Sequence, residues 1–246
     1  TGNIYPGGDP TYGNFSATGG TYNMTYNAIE RTVRITNDFS MAGGTFFQSY
    51  AAVGTLTVGR NFLVSGSGYF NLDFSAAGSL YVTGDFSVQG GNFRMSRDSN
   101  TGILYLAGNF TFTAGDITET GTGSGEIIFN GYGPQLYNSS RAATGTINFT
   151  VADGATLQMA SAGSTISSGG TFTLAAGGTL GITSGDGITA DPALLTGNIR
   201  TTTARVFSDG ANYIYNGTTP QVTGTGLTQH TPANLSVINS SGLTLS

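Results

Sequence analysis

The stretch GRNFLVSGSGYF (residues 59–70) returns, little changed, as GDFSVQGGNF (84–93) and as GNFTFTAGDI (108–117). Aligned on phenylalanine, these stretches and the one before them place Phe39, Phe62, Phe86 and Phe110 at steps of 23, 24 and 24 residues. Four further columns keep the step: Val33, Leu56, Leu80 and Leu104; Ile35, Val58, Val82 and Leu106; Met41, Val64, Val88 and Phe112; Phe46, Phe70, Phe93 and Ile117. Within each copy apolar and polar residues alternate, as in Leu80-Tyr81-Val82 and Phe86-Ser87-Val88. Alternation of period two marks a strand with one face buried.

A repeat of about 20–50 residues signals a solenoid, whose units bury their apolar faces only by stacking on one another. A step near 24 that holds several short strands broken by Gly or Asn fits one coil of a right-handed parallel β-helix, roughly triangular in section. Coils stacked about 4.8 Å apart make a rod roughly 50 Å long. An up-and-down sandwich also accommodates frequent Gly-rich turns, but hairpins do not require residue identities to recur once per coil.

Along the chain this reading gives an irregular coil or cap (1–30), regular coils (31–130), coils of shorter period (131–183), a loop (184–198) and final coils (199–246). Beyond Gly131, GATLQM (154–159), GSTIS (163–167), GGTFTL (169–174) and GGTLGI (177–182) recur at six to nine residues, one short strand per side of a triangle. In the loop, Asp191 before Pro192 is placed to cap one helical turn through Ala193, Leu194 and Leu195.

Composition narrows the function. Only 9% of residues are charged, yet 15 phenylalanines and 12 tyrosines sit at regular places, which argues for a packed core rather than disorder. All eight basic residues are arginine, the net charge is −5, and there is no basic run, so nucleic acid is not an expected partner. No apolar run is long enough to insert in a membrane, and without cysteine there is neither a disulfide framework nor a thiolate metal site.

Before each aligned phenylalanine stands Asp38, Asn61, Asp85 or Asn109, and before those Asn37, Arg60, Gly84 and Gly108. The column predicts a corner with a left-handed residue followed by an Asx side chain bonded to nearby backbone, a pattern from which Arg60 departs. The same four Asx residues are the alternative calcium ligands, although the dense acidic loops that cage this ion are missing. No cofactor is expected.

Catalysis has thin support. Asp153, Asp186 and Asp209 precede glycine and Asp116 follows one, as turn residues do. Glu119 and Glu126 flank GTGSG, and the lone histidine, His230, stands in QHTPANL. Recognition is the better-founded expectation. Arg34, Thr57, Tyr81 and Tyr105 point outward from successive coils, and Tyr81 with Tyr105 offers a platform for sugar rings; cross-strand packing is the alternative. Threonine pairs such as Thr55/Thr57 and Thr171/Thr173 do not recur in every coil, as an ice-binding face requires.

The last fifty residues carry a different signal. They contain Tyr213-Ile-Tyr-Asn-Gly217, Gln221-Val-Thr-Gly-Thr-Gly-Leu227 and the closing run from Asn234 to Ser246. Residues 197–227 with 233–246 resemble a repeat of very large secreted proteins of Bacteroidota-type bacteria that use type IX secretion. The family's usual Pro after the Leu is Thr228 here, and its paired Asn-Asn is Asn239-Ser240. The resemblance implies an extracellular or cell-surface stalk or adhesin, and a piece of a longer polypeptide. The chain is therefore expected to be a non-catalytic structural or adhesive segment. Its expected partners are adjacent repeats or like subunits stacked end to end, and surface glycans. A carbohydrate-active β-helical enzyme or a glycan-binding module is the alternative.

Overall fold

The computed structural model describes residues 3–4, 7–227 and 231–246. Among them there is no helix, and every strand ladder is parallel. The chain is a parallel β-helix of about ten coils. Nine strands, one per coil, form one sheet: Thr11–Tyr12, Arg31–Ile35, Gly54–Val58, Gly78–Val82, Thr101–Leu106, Ser124–Phe129, Ile147–Val151, Thr171–Leu174 and Ala204–Phe207. A twelve-stranded sheet covers two further sides. Its long strands Phe39–Ser49, Phe86–Ser96 and Phe110–Glu119 turn a corner at a break in register. In the coil between, the corner divides the strand into Phe62–Val64 and Tyr69–Asp73.

That corner is where left-handed backbone is used. Gly20, Gly44, Gly66, Gly91 and Gly115 have φ of 88°, 83°, 54°, 65° and 77°, a region closed by the Cβ of most other residues. The corner ahead of the phenylalanine column, for which the sequence predicts a left-handed residue, has none: φ is not positive at Asn37, Arg60, Gly84 or Gly108. Arg60 is therefore no exception. Glycine stands at 84 and 108 for room, since a Cβ would lie 2.6 and 2.2 Å from the carbonyl oxygens of Arg60 and Gly84.

All five apolar columns are in register and buried. The phenylalanine stack begins one coil earlier than the aligned columns, at Phe15, and ends on Tyr137. Successive centroids are 4.6, 4.7, 5.3, 5.5 and 4.8 Å apart, with planes within 16° of parallel. A second stack, Phe46–Phe70–Phe93, meets the first edge-on, for example at 87° and 5.7 Å between Phe62 and Phe93. Stacked and T-shaped contacts both satisfy the ring quadrupole, and each buried ring contributes about 1.5–3 kcal/mol.

Past Gly131 the coil keeps its length: Phe129, Val151 and Leu174 are in register at steps of 22 and 23. The recurrence at six to nine residues is the succession of sides within a coil, namely Thr156–Met159, a bridge at Ile166, Thr171–Leu174 and Thr179–Ile182. The next step, Leu174 to Phe207, is 33 residues because 184–198 is inserted. Its two ends pack inside. The Ile188 N–H meets the Thr223 carbonyl, and the buried Asn198 side chain takes the Thr183 and Ser184 N–H groups at 3.0 and 2.9 Å. The tip, 191–196, lies mostly on the surface, as does Asp186. There Asp191 Oδ1 accepts the Ala193 N–H at 2.9 Å, but one turn forms without a helix. Arg205 ends a core column, in register with Phe172, and its guanidinium donates to the carbonyls of Thr201, Thr189 and Leu194.

Two corners share one device, written NGYGPQ (130–135) and NGTTPQ (216–221). In each, the buried glutamine accepts the glycine N–H at 2.9 Å through Oε1. Its Nε2 donates to two carbonyls of the preceding coil, Leu106 and Gly108 for Gln135, Ile182 and Ser184 for Gln221. Gln135→Ala leaves those buried groups unpaired. It is expected to cost about 1–3 kcal/mol in urea unfolding, whereas an exposed substitution such as Tyr132→Ala stays within about 0.5 kcal/mol.

Candidate functional site

Three surface or corner features bear on function. The first is the Asx column, which proves to be a hydrogen-bond ladder. The side chain of Asn14 accepts the N–H of Asp38, Asp38 that of Asn61, Asn61 that of Asp85, Asp85 that of Asn109, and Asn109 that of Leu136, at 2.8–3.2 Å. Amide and carboxylate alternate, which sets Asp38 and Asp85 two coils, about 10 Å, apart and avoids stacked like charge. At Asp38, Asn61, Asp85 and Asn109 one oxygen per coil is thus already committed to backbone.

The second is the outer face of the nine-stranded sheet. Arg34, Thr57, Tyr81 and Tyr105 are in register on it, and the column continues through Ile128, Thr150, Thr173 and Val206. Tyr81 and Tyr105 stack with centroids 4.5 Å apart and planes 5° from parallel, Tyr81 being 40% exposed. At that separation the ring faces are turned toward each other along the rod, so the pair presents edges and hydroxyls to solvent. Burial, then Tyr81, then the charge of Glu126 push the Tyr105 hydroxyl up. Thr150 donates to Glu126 beside this row at 3.4 Å.

The third lies at the corner leading into that sheet and is absent from the expected site residues. An outer ladder of Tyr26, Tyr50 and Phe74, with centroid spacings of 6.4 and 5.0 Å, ends in the Arg97 guanidinium, 4.2 Å from the Phe74 ring centre. Phe47 packs edge-on against Tyr50 and Phe74. Under this lid runs a buried polar column, Thr25, Ser49, Asp73, Ser96 and Glu119. Its sequence signal is a dipeptide repeat, Thr25-Tyr26, Ser49-Tyr50, Asp73-Phe74 and Ser96-Arg97, at steps of 24, 24 and 23. Burial pushes the Asp73 carboxyl up from 3.8 to about 6; the Ser96 hydrogen bond opposes the rise and the charge of Asp98 adds to it.

The other acids are dispersed. Glu119 ends a strand of the twelve-stranded sheet and Glu126 lies in the nine-stranded one; Glu119 Oε2 accepts the Thr146 N–H at 3.0 Å. Among the described residues no group of three or more His, Cys, Asp or Glu is arranged to hold a metal ion. His230 and Thr228 lie outside the described residues. A groove of about 460 Å³, lined by polar and apolar side chains alike, runs past Leu136, Gln158, Met159, Thr183, Asn216 and Thr218. There Gln158 reaches over Gly181 to accept the Asn216 amide at 2.8 Å, and a Cβ on Gly181 would lie 2.0 Å from the Gln158 oxygen.

The fold and these surfaces define a parallel β-helix that carries one stacked tyrosine pair on its outer face and an aromatic ladder along one corner. Set against protein-family models, curated proteins and solved structures, the chain matches none.

Proposed function

We propose that the chain is an extracellular structural and adhesive segment of a bacterial surface protein or filament, without catalytic activity of its own. The observation that carries this reading is where the acids spend their oxygens. Asp9, Asp38, Asp85, Glu119, Asp191 and Asp209 each accept a backbone N–H. Asp116 pairs with Arg141 at 3.9 Å, and Glu126 accepts a threonine hydroxyl. Glycoside cleavage needs two carboxylates about 5–10 Å apart across a sugar. Acids spread over corners and tied to backbone suit a scaffold instead. The resemblance of 197–227 and 233–246 to type IX surface repeats supports the extracellular setting.

Adjacent repeats of the same polypeptide or like subunits stack on the ends of the rod. Supporting this, Leu235 and Val237 continue the core columns of Tyr213 and Tyr215 yet are about half exposed. At the other end an apolar recess of about 230 Å³ lies among Tyr12, Phe15, Tyr22, Met24 and Val33. Surface glycans meet the outer face at Tyr81 and Tyr105.

Incubation with a panel of neutral and acidic polysaccharides tests the proposal. New reducing ends and unsaturated uronates should stay at the level of a heat-inactivated control, while binding to a glycan array falls in Tyr81→Ala and Tyr105→Ala. Steady release of cleaved product would sink it in favour of a carbohydrate-active β-helical enzyme.

A further inference from the structure

The buried polar column has one member that breaks its rule. Thr25 Oγ1 accepts the Tyr50 N–H at 2.8 Å, Ser49 Oγ the Gly54 N–H at 3.1 Å, and Glu119 Oε2 the Thr146 N–H at 3.0 Å. Ser96 Oγ donates to the Asn100 carbonyl at 2.9 Å. Each of these side chains thus closes backbone at the corner. Asp73, fully buried, accepts no backbone N–H: Oδ2 lies 3.2 Å from the Ser96 hydroxyl, whose single proton it shares with the Asn100 carbonyl. Oδ1 has no partner within hydrogen-bond distance, and the Asn100 side chain lies close enough to favour the charged carboxylate. Nor does a cation answer it. Among the described residues the one ion pair is Arg141 with Asp116, and the nearby Arg97 guanidinium sits over the Phe74 ring.

We propose that Asp73 and the corner loop 96–100 of the next coil form a binding site for a hard divalent cation of the calcium class. The Ser96 hydrogen bonds show which way the buried carboxylate faces. One hydroxyl lies within 3.2 Å of Asp73 Oδ2 and 2.9 Å of the Asn100 carbonyl oxygen, so three oxygens converge where the loop crosses the column. Asp98, exposed on that loop, is close enough for its charge to act on Asp73 and brings a second carboxylate. The Asp73 and Asp98 carboxylates, the Ser96 hydroxyl and the Asn100 carbonyl offer oxygen ligands, with no imidazole or sulfur beside them, which selects hard ions. Calcium takes about six to eight oxygens in flexible geometry, so water completes the shell; magnesium, which needs a near-ideal octahedron and dehydrates reluctantly, binds more weakly. Two carboxylates and several neutral oxygens place the affinity in the range of extracellular modules, Kd about 0.1–1 mM. Bound there, the ion supplies the counter-charge that Asp73 lacks and ties two adjacent coils together at the corner under the aromatic ladder.

The test uses the full chain, freed of metal with EDTA and titrated with CaCl2 or MgCl2 during thermal unfolding. At about ten times Kd, calcium should raise Tm by about 3–5 °C, and magnesium by less. Asp98→Asn, an exposed change, should keep the parent Tm in EDTA and lose most of the calcium shift. Terbium luminescence, sensitised through Tyr50, should appear with the parent chain and fall at least about tenfold in Asp73→Asn. An unchanged Tm with no terbium signal overturns the proposal. A calcium shift retained in both variants overturns it equally, because the ion then binds elsewhere, as on the Asp38–Asp85 ladder.

Discussion

Phe86→Ala is expected to lower the unfolding free energy by about 3–5 kcal/mol, the range for emptying a buried aromatic position. Phe86 is fully buried, with the rings of Phe62 and Phe110 at 5.3 and 5.5 Å and the edge contact of Phe93 at 4.9 Å. No neighbour can move into the gap without leaving its own coil, so the cavity persists and adds to the lost burial. A solenoid couples each coil chiefly to its neighbours. The damage should therefore concentrate there, with hydrogen exchange faster in Phe62–Val64, Phe86–Ser96 and Phe110–Glu119 than elsewhere. The outward Tyr81→Ala, which loses one stacking partner and no core volume, is expected to cost only about 0.5–1.5 kcal/mol. Equal losses from the two substitutions would mean that the phenylalanine column does not carry the core.

Asp73 should make stability depend on pH in a direction opposite to that of most acids. Unfolded, its carboxyl titrates near 3.8; folded, burial raises it to about 6. Between those values the folded chain holds a proton that the unfolded chain has released. This group therefore favours folding fully below about pH 4, and that contribution is lost as pH rises through about 6. The shift corresponds to on the order of 3 kcal/mol. In metal-free buffer Asp73→Asn should accordingly be more stable than the parent above about pH 7, by up to that amount, with the difference vanishing near about pH 4. Urea unfolding of both chains across this range measures it. Parallel stability curves would show that the carboxylate is solvated in solution and that the Tyr26–Tyr50–Phe74 lid does not exclude water.

What the sequence reveals of this molecule tracks how strictly a physical demand repeats. A core column must be refilled in every coil, so Phe39, Phe62, Phe86 and Phe110 identify the period and with it the fold. Phe15 belongs to the same stack but escapes alignment, because its coil offers only Thr11–Tyr12 to the nine-stranded sheet and puts Ala17 and Tyr22 beneath Met41 and Phe46. The Asx column is visible, yet its role cannot be read from one coil, since each side chain bonds to the coil after its own. Left-handed backbone was to be sought at the Gly-Gly corners, Gly43-Gly44 and Gly90-Gly91, rather than beside the Asx residues. Asp73 is hidden for a different reason. In sequence Asp73-Phe74 looks like an exposed acid beside a buried ring, but at the corner the order inverts, and the ring covers the acid. The insertion at 184–198 shows as a broken pattern, while the burial of Ile188 and Asn198 depends on contacts with coils distant in sequence.

Successive coils lie in register one coil apart, and a cysteine-free chain allows a direct measurement of that register. Thr57 and Tyr81 are register partners on the outer face, as are Tyr81 and Tyr105. Partners one coil apart, about 4.8 Å between Cα atoms, fall within disulfide reach, whereas two coils, about 10 Å, do not. Thr57→Cys combined with Tyr81→Cys, oxidised under mild conditions and mapped by peptide mass, should give one intramolecular disulfide, and Thr57→Cys with Tyr105→Cys should keep both thiols free. A 57–105 disulfide, or free thiols in the 57–81 pair, would show that successive coils do not stack in this register.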